Sequence, residues 1–299
     1  MQHQIASREE WLVARLELLK EEKELTRPSE ARLLRDGAND RAGERAFWGV
    51  LALAFAASST VTIVWSSSMS AMGGMAMPGG WTMSMAWMRM RGQTWSAAAA
   101  SFLGMWVVMM VAMMLPSLVP RLRRYRKAVG RAGEPRPGGL TTLVGAGYFL
   151  VWTVFGTAVF AGGAALAVLE MRQPALARAV PVAAGVVVLI AGAVQFTAWK
   201  ANRLACCREA GVHGCAMPPD AGMAWRHGLR LALDCGYCCG HLTVVLLVIG
   251  VMDLGAMAAV TAAISAERLV PGGERVARAV GYVVLGEGLL LIARAARLV

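Results

Sequence analysis

Three of the chain's six cysteines fall within five residues, in the run Asp234-Cys235-Gly236-Tyr237-Cys238-Cys239-Gly240-His241. On a helix, Cys235, Cys238 and Cys239 stand at i, i+3 and i+4 and share one face, while Asp234, Cys238 and His241 line the adjacent stripe. Thiolate, imidazole and carboxylate together form the ligand set for a soft or borderline transition metal, copper first and zinc second. Buried cysteine also serves as a small hydrophobe. A CxxCC flanked by an acid and a histidine at the head of an apolar run points instead to a metal site.

Two further groups of sulfur atoms lie outside that run. The stretch from Lys200 to Arg230 carries Cys206-Cys207, His213-Gly-Cys215 and His227, with five Lys/Arg. Adjacent cysteines close a disulfide with each other only with difficulty, because their side chains diverge. Cys206, Cys207 and Cys215 are therefore expected to offer sulfur that receives or exports metal, although the spacing follows no standard zinc pattern. The third group is thioether. Met69, Met72, Met75, Met77, Met83, Met85, Met88 and Met90 put eight sulfurs into 22 residues, among Gly, Ser, Trp81 and Trp87. Thioethers select Cu(I) or Ag(I) and cannot be deprotonated, so they bind weakly but at any pH. A capture loop over 69–90 on an oxidising exterior is one reading; a segment lying in the lipid headgroups is the other. Farther on, Met105, Met109 and Met113 recur on one helical face and Met110 and Met114 on the next, either a path for a soft ion or core packing.

The elements that must position these groups are apolar. Of 299 residues, 57% are hydrophobic, and mean hydropathy is +0.52. Several runs reach the ~20 residues that cross a bilayer. The expected fold is an all-α polytopic membrane bundle of about seven spans, alternatively six, multi-pass in a bacterial inner membrane. The spans read as 46–66, 97–119, a stretch within 140–169, 180–199, 231–252, a shorter return to Glu267, and 279–291. Pro116 and Pro120 are expected to end the second. Arg121 to Arg136 holds seven basic residues in sixteen, which sets that loop, and with it the N-terminus, on the cytoplasmic side. Gly156, Gly162 and Gly163 mark a close helix contact. Gln195 in an apolar helix calls for a polar partner, and Glu287 between Gly286 and Gly288 is an intramembrane acid with a functional claim. Residues 1–45 read as a cytoplasmic soluble amphipathic helix and linker. Ser7 and Glu10 form a capping box, Trp11, Leu12, Leu16 and Leu19 share helical spacing, and Pro28 with 36–44 forms the linker. Residues 46–299 form the membrane domain.

Net charge is +11, but the basic residues cluster between apolar runs, a sign of membrane orientation and not of nucleic acid. No phosphate-binding loop or kinase signature is present, and no local motif suggests a Ser-His-Asp arrangement. The chain is thus read as a metal handler before an enzyme, with the lipid bilayer and a copper-dependent membrane enzyme or metal chaperone as partners. A thiol–disulfide oxidoreductase using Cys235-x-x-Cys238 at a helix N-terminus is the alternative; a structural subunit is a third.

The same residues resemble a bacterial family described as predicted metal-binding integral membrane proteins, of unassigned function. The matching marks are Trp106 with Met109-Met110 and Ala112-Met113-Met114-Leu115-Pro116, Gln195 with Trp199-Lys200, Cys206, His227-Gly228, Cys235 to Cys239, Gly250 with Met252-Asp253-Leu254, and Glu267. The resemblance covers about residues 45–295 and implies a metal-binding membrane bundle in which Lys200, His227 and Glu267 have a role. Arg268 stands where the family usually has lysine, and Gly240-His241 where it has an aromatic residue after CxxCC. Residues 7–27 resemble the leading helix of a thioredoxin-like family of unknown function, with none of that family's fold following.

Overall fold

The computed structural model describes residues 8–71, 73–78, 80–89, 92–132, 134, 137–209 and 220–296. Ser7, Met72, Met90, His213 and Cys215 lie outside them. The fold is all-α, with helices α1 (Arg8–Ala71), α2 (Trp95–Arg131), α3 (Pro137–Arg172), α4 (Pro174–Val194), α5 (Ala198–Glu209), α6 (Ala221–Ile249), α7 (Leu254–Leu269) and α8 (Gly273–Ala296). A two-stranded antiparallel hairpin, β1 (Met75–Met77) and β2 (Trp81–Met83), precedes a short 3-10 turn, Met85–Trp87. Among the described residues, six helical segments are long and apolar enough to cross a bilayer, those at Arg41–Ala71 and in α2, α3, α4, α6 and α8. The chain is a multi-pass membrane protein.

Contacts divide the chain into Met1–Val50 and Leu51–Val299. In the first unit, Trp11, Leu12, Leu16 and Leu19 are exposed and Arg15 sits over the Trp11 ring. The stretch expected to be a linker, 36–44, is helical.

Glycine lets the helices of the second unit approach closely. A Cβ on Gly156 of α3 would lie 2.4 Å from the Trp106 ring of α2, and one on Gly228 of α6 would lie 2.3 Å from the Val144 carbonyl oxygen of α3. Gly163 accommodates Trp87, whereas Gly162 faces open space. On α8, Gly288 packs on Leu189 and Gly281 on Gln195 and Phe196, so α4 and α8 run antiparallel. Such small-residue contacts replace the hydrophobic drive that lipid does not supply.

Several boundaries differ from those expected. Helix α2 runs on through Pro116 and Pro120. Pro116 removes the helical N–H that would bond the Ala112 carbonyl, and the neighbouring Ser117 hydroxyl donates to the Met114 carbonyl at 3.0 Å. Between α3 and α4 only Gln173 is non-helical, so Glu170 and Pro174, expected in a loop, are both in helices. The fourth apolar run is not continuous to Trp199. It breaks at Gln195–Thr197, where Thr197 Oγ1 donates to the Val194 carbonyl at 2.7 Å and accepts from the Lys200 amide at 3.2 Å. Helix α7 has 16 residues, about 24 Å long, and returns from the end of α6 to the level of Cys235, where Arg268 meets that residue's carbonyl.

Candidate metal centre

Helix α6 carries the cysteine run in its middle, not at its N-terminus, because the helix begins at Ala221, capped by the Asp220 carboxylate on the Met223 amide. Cys235, Cys238 and Cys239 are all buried, but they face different neighbours. Cys235 and Cys239 lie with sulfurs 3.6 Å apart, and the Cys235 thiol reaches Met114 Sδ of α2 at 4.0 Å. Tyr148 of α3 donates its hydroxyl to Cys235 Sγ at 2.9 Å. Cys238 instead turns towards α5 and α8, against Leu204, Cys207 and Ala277. The three thiols expected on one ion are thus split into a pair and a separate neighbour. Among the described residues no three His, Cys, Asp or Glu side chains gather as a metal cage; the further sulfur next to Cys235 is the Met114 thioether.

Cys207 sits on α5 and donates to the Asp234 carbonyl at 3.5 Å. Its own carbonyl accepts from the Arg121 guanidinium. Its hydrogen bond with Cys238 holds the Cys207 thiol down, to about 6, against the opposing effect of burial, with Arg268 and Arg121 assisting. Cys206 is exposed. Asp234 thus meets Cys207 through its backbone, and His241 keeps a buried Nε2 without a hydrogen-bond partner among the described residues. His227 stands apart, stacked on Tyr125 with ring centroids 5.3 Å apart.

Charged groups flank the thiols. The Lys200 ammonium pairs with Glu267 Oε2 at 2.6 Å, both side chains 1% exposed, and donates to the Cys238 carbonyl at 2.7 Å. Gln195 donates to the other oxygen of Glu267 at 2.8 Å, the polar partner its sequence position called for. Lys200 and Gln195 therefore straddle the break between α4 and α5 and close on one acid of α7. Arg268, next to that acid, donates to the Cys235 carbonyl at 3.3 Å and to Ser117 Oγ at 3.4 Å. Its Nε is buried and has no hydrogen-bond partner among the described residues. Sequence reading named Arg268 only as a departure from a family pattern and missed Tyr148; a tyrosine in an apolar helix, needing a hydrogen-bond partner, was the available signal. Glu287 lies elsewhere, with Asp253 on a groove between α6, α7 and α8.

Methionine splits as well. Met105, Met109, Met110, Met113 and Met114 form a fully buried column on α2. Met77 and Met83 of the hairpin pack against Ala167 and Ala177, Met75 is exposed, and Met69 lines a pocket near Met105.

A family model, PpoB2, described as a copper chaperone, matches residues 103–291. The chain belongs to this family. The matched region holds the Met column, the thiol pair, Tyr148 and the Lys200–Glu267 pair, and a member of this family handles copper. No curated protein and no solved structure matches the chain.

Proposed function

We propose that this PpoB2-family protein holds Cu(I) as cargo between Cys235, Cys239 and Met114, in the plasma membrane with its N-terminus cytoplasmic, for delivery to a copper-dependent membrane enzyme or a metal chaperone. One observation carries the reading: two thiols of α6 lie 3.6 Å apart and a thioether of α2 lies 4.0 Å from Cys235, all three buried. Two sulfurs on one ion with metal–sulfur bonds of ~2.3 Å sit about 3.8–4 Å apart at tetrahedral to trigonal angles, close to the 3.6 Å seen here. Cu(I) accepts so few soft ligands, whereas zinc calls for four, commonly with imidazole. Copper therefore fits this donor set better than zinc.

Charge supports the same reading. Binding Cu(I) to two thiols releases two protons and leaves one net negative charge. Arg268 has no carboxylate partner among the described residues, and a buried cation without an anion is costly. The copper-dithiolate would supply that anion. Lys200 is already neutralised by Glu267, so its role is to fix α5, α6 and α7 around the pair. A thiol–disulfide enzyme is less well supported, because Cys235 contacts Cys239 and neither lies at a helix start.

The test is Cu(I) competition against a chromophoric chelator, using full-length protein in detergent under reducing conditions. C235S/C239S is expected to lose the tight ion while keeping its helical melting curve; unchanged copper content in that variant overturns the assignment.

A further inference from the structure

Five methionines far apart in sequence converge at the opposite end of the Met column. Met69 comes from the last turn of α1, Met85 and Met88 from the 3-10 turn and the residue closing it, Met105 from α2, and Met252 from the α6–α7 turn. With Gln93 they line a pocket of about 50 Å³, room for an ion with a water molecule. Among the described residues, no titratable side chain lines it. We propose that this pocket is an intake site for a soft monovalent cation, Cu(I) or its surrogate Ag(I), held by thioether sulfur. The inference rests on the reading of Cys235 and Cys239 as the destination.

Packing alone accounts for Met77 and Met83, which are buried in the hairpin core. It accounts only in part for the pocket methionines, of which Met88 also packs against that core. Met69, Met85, Met88 and Met252 are each only partly buried, so their surfaces border open space instead of filling it. A core that needed only volume is filled by leucine at less rotamer entropy. The hairpin is also anchored: Trp81 donates its indole N–H to the Ala177 carbonyl at 2.9 Å, and Trp87 occupies the notch at Gly163. These contacts fix Met85 and Met88 over the end of α2. Met105 forms the pocket's inner wall and opens the buried column. Nine residues on, about 14 Å along the helix, Met114 meets Cys235. Thioethers therefore stand at both ends of the route, and the ligands strengthen from thioether to thiolate.

The experiment is a titration of full-length protein in detergent, carrying ¹³C-methyl methionine, with Ag(I). Single Met→Leu variants assign the methyl signals, and leucine is close enough in volume to keep the fold. The expected result is that the Met85, Met88, Met105 and Met252 methyls shift on adding Ag(I), in wild type and in C235S/C239S alike. The triple variant M85L/M88L/M252L is expected to weaken this response at least tenfold. Pocket methyls unmoved by Ag(I), or a response that vanishes in C235S/C239S, overturn the intake site. If instead C235S/C239S keeps its tight copper while the pocket methyls still shift, the interior assignment fails and the pocket stands.

Discussion

At the residue scale, three cysteines at i, i+3 and i+4 are not equivalent. Each residue advances about 100° around a helix, so Cys239 stands about 40° to one side of Cys235 and Cys238 about 60° to the other. Neighbours on different sides then claim different members: Tyr148 and Met114 meet Cys235, and Cys207 meets Cys238. Replacing Cys238 by serine is accordingly expected to leave the tight Cu(I) site in place, whereas C235S/C239S abolishes it, as read by copper content after chelator wash. Arg268→Gln keeps hydrogen-bond donors but removes the charge. It is expected to weaken Cu(I) binding about 10–100-fold, the usual effect of losing a group that supports metal ligands, with the melting temperature as the control for folding. The presence of sulfur chemistry was legible in the sequence, since CxxCC in an apolar run is conspicuous. The division of labour was not, because α5 lies outside the apolar runs and the face it covers depends on tertiary packing.

At the element scale, the decisive feature is the interruption at Gln195–Thr197, which brings two polar side chains to Glu267 from either side of one break. A continuous helix would place Gln195 and Lys200 five residues apart, about 140° around the axis, unable to converge. Removing one member of the buried pair leaves the other charge uncompensated. Lys200→Met is therefore expected to cost about 3–5 kcal/mol, with much of that recovered in the double variant K200M/E267L; thermal unfolding of the four proteins of the cycle measures it. Gly156→Ala forces the Trp106 ring aside and is expected to cost about 1–3 kcal/mol, while Gly162→Ala, facing open space, costs little. Hydropathy located the spans, and turn chemistry suggested their ends. The prolines misled that reading, because α2 stays helical past both Pro116 and Pro120.

At the scale of the whole molecule, contacts order the helices into antiparallel passes. Gly288 against Leu189 and Gly281 against Gln195 make α8 retrace α4, and α7 descends from the end of α6 to Cys235 before α8 rises. The basic segment Arg121–Arg131 and the C-terminus are therefore expected on opposite faces of the membrane. Reporter fusions at residue 134 and at the C-terminus check this; the same side for both contradicts the seven-pass path. The short length of α7 is why sequence alone left six and seven spans open.

The sealing of the thiol pair also governs timing. With Cys235 and Cys239 at 0% and 1% exposure, a chelator dissolved in the surrounding water could not directly touch an ion held there as proposed. Exchange must wait for the bundle to open, so unloading should proceed at a rate independent of scavenger concentration until a recipient protein engages the bundle and speeds the opening.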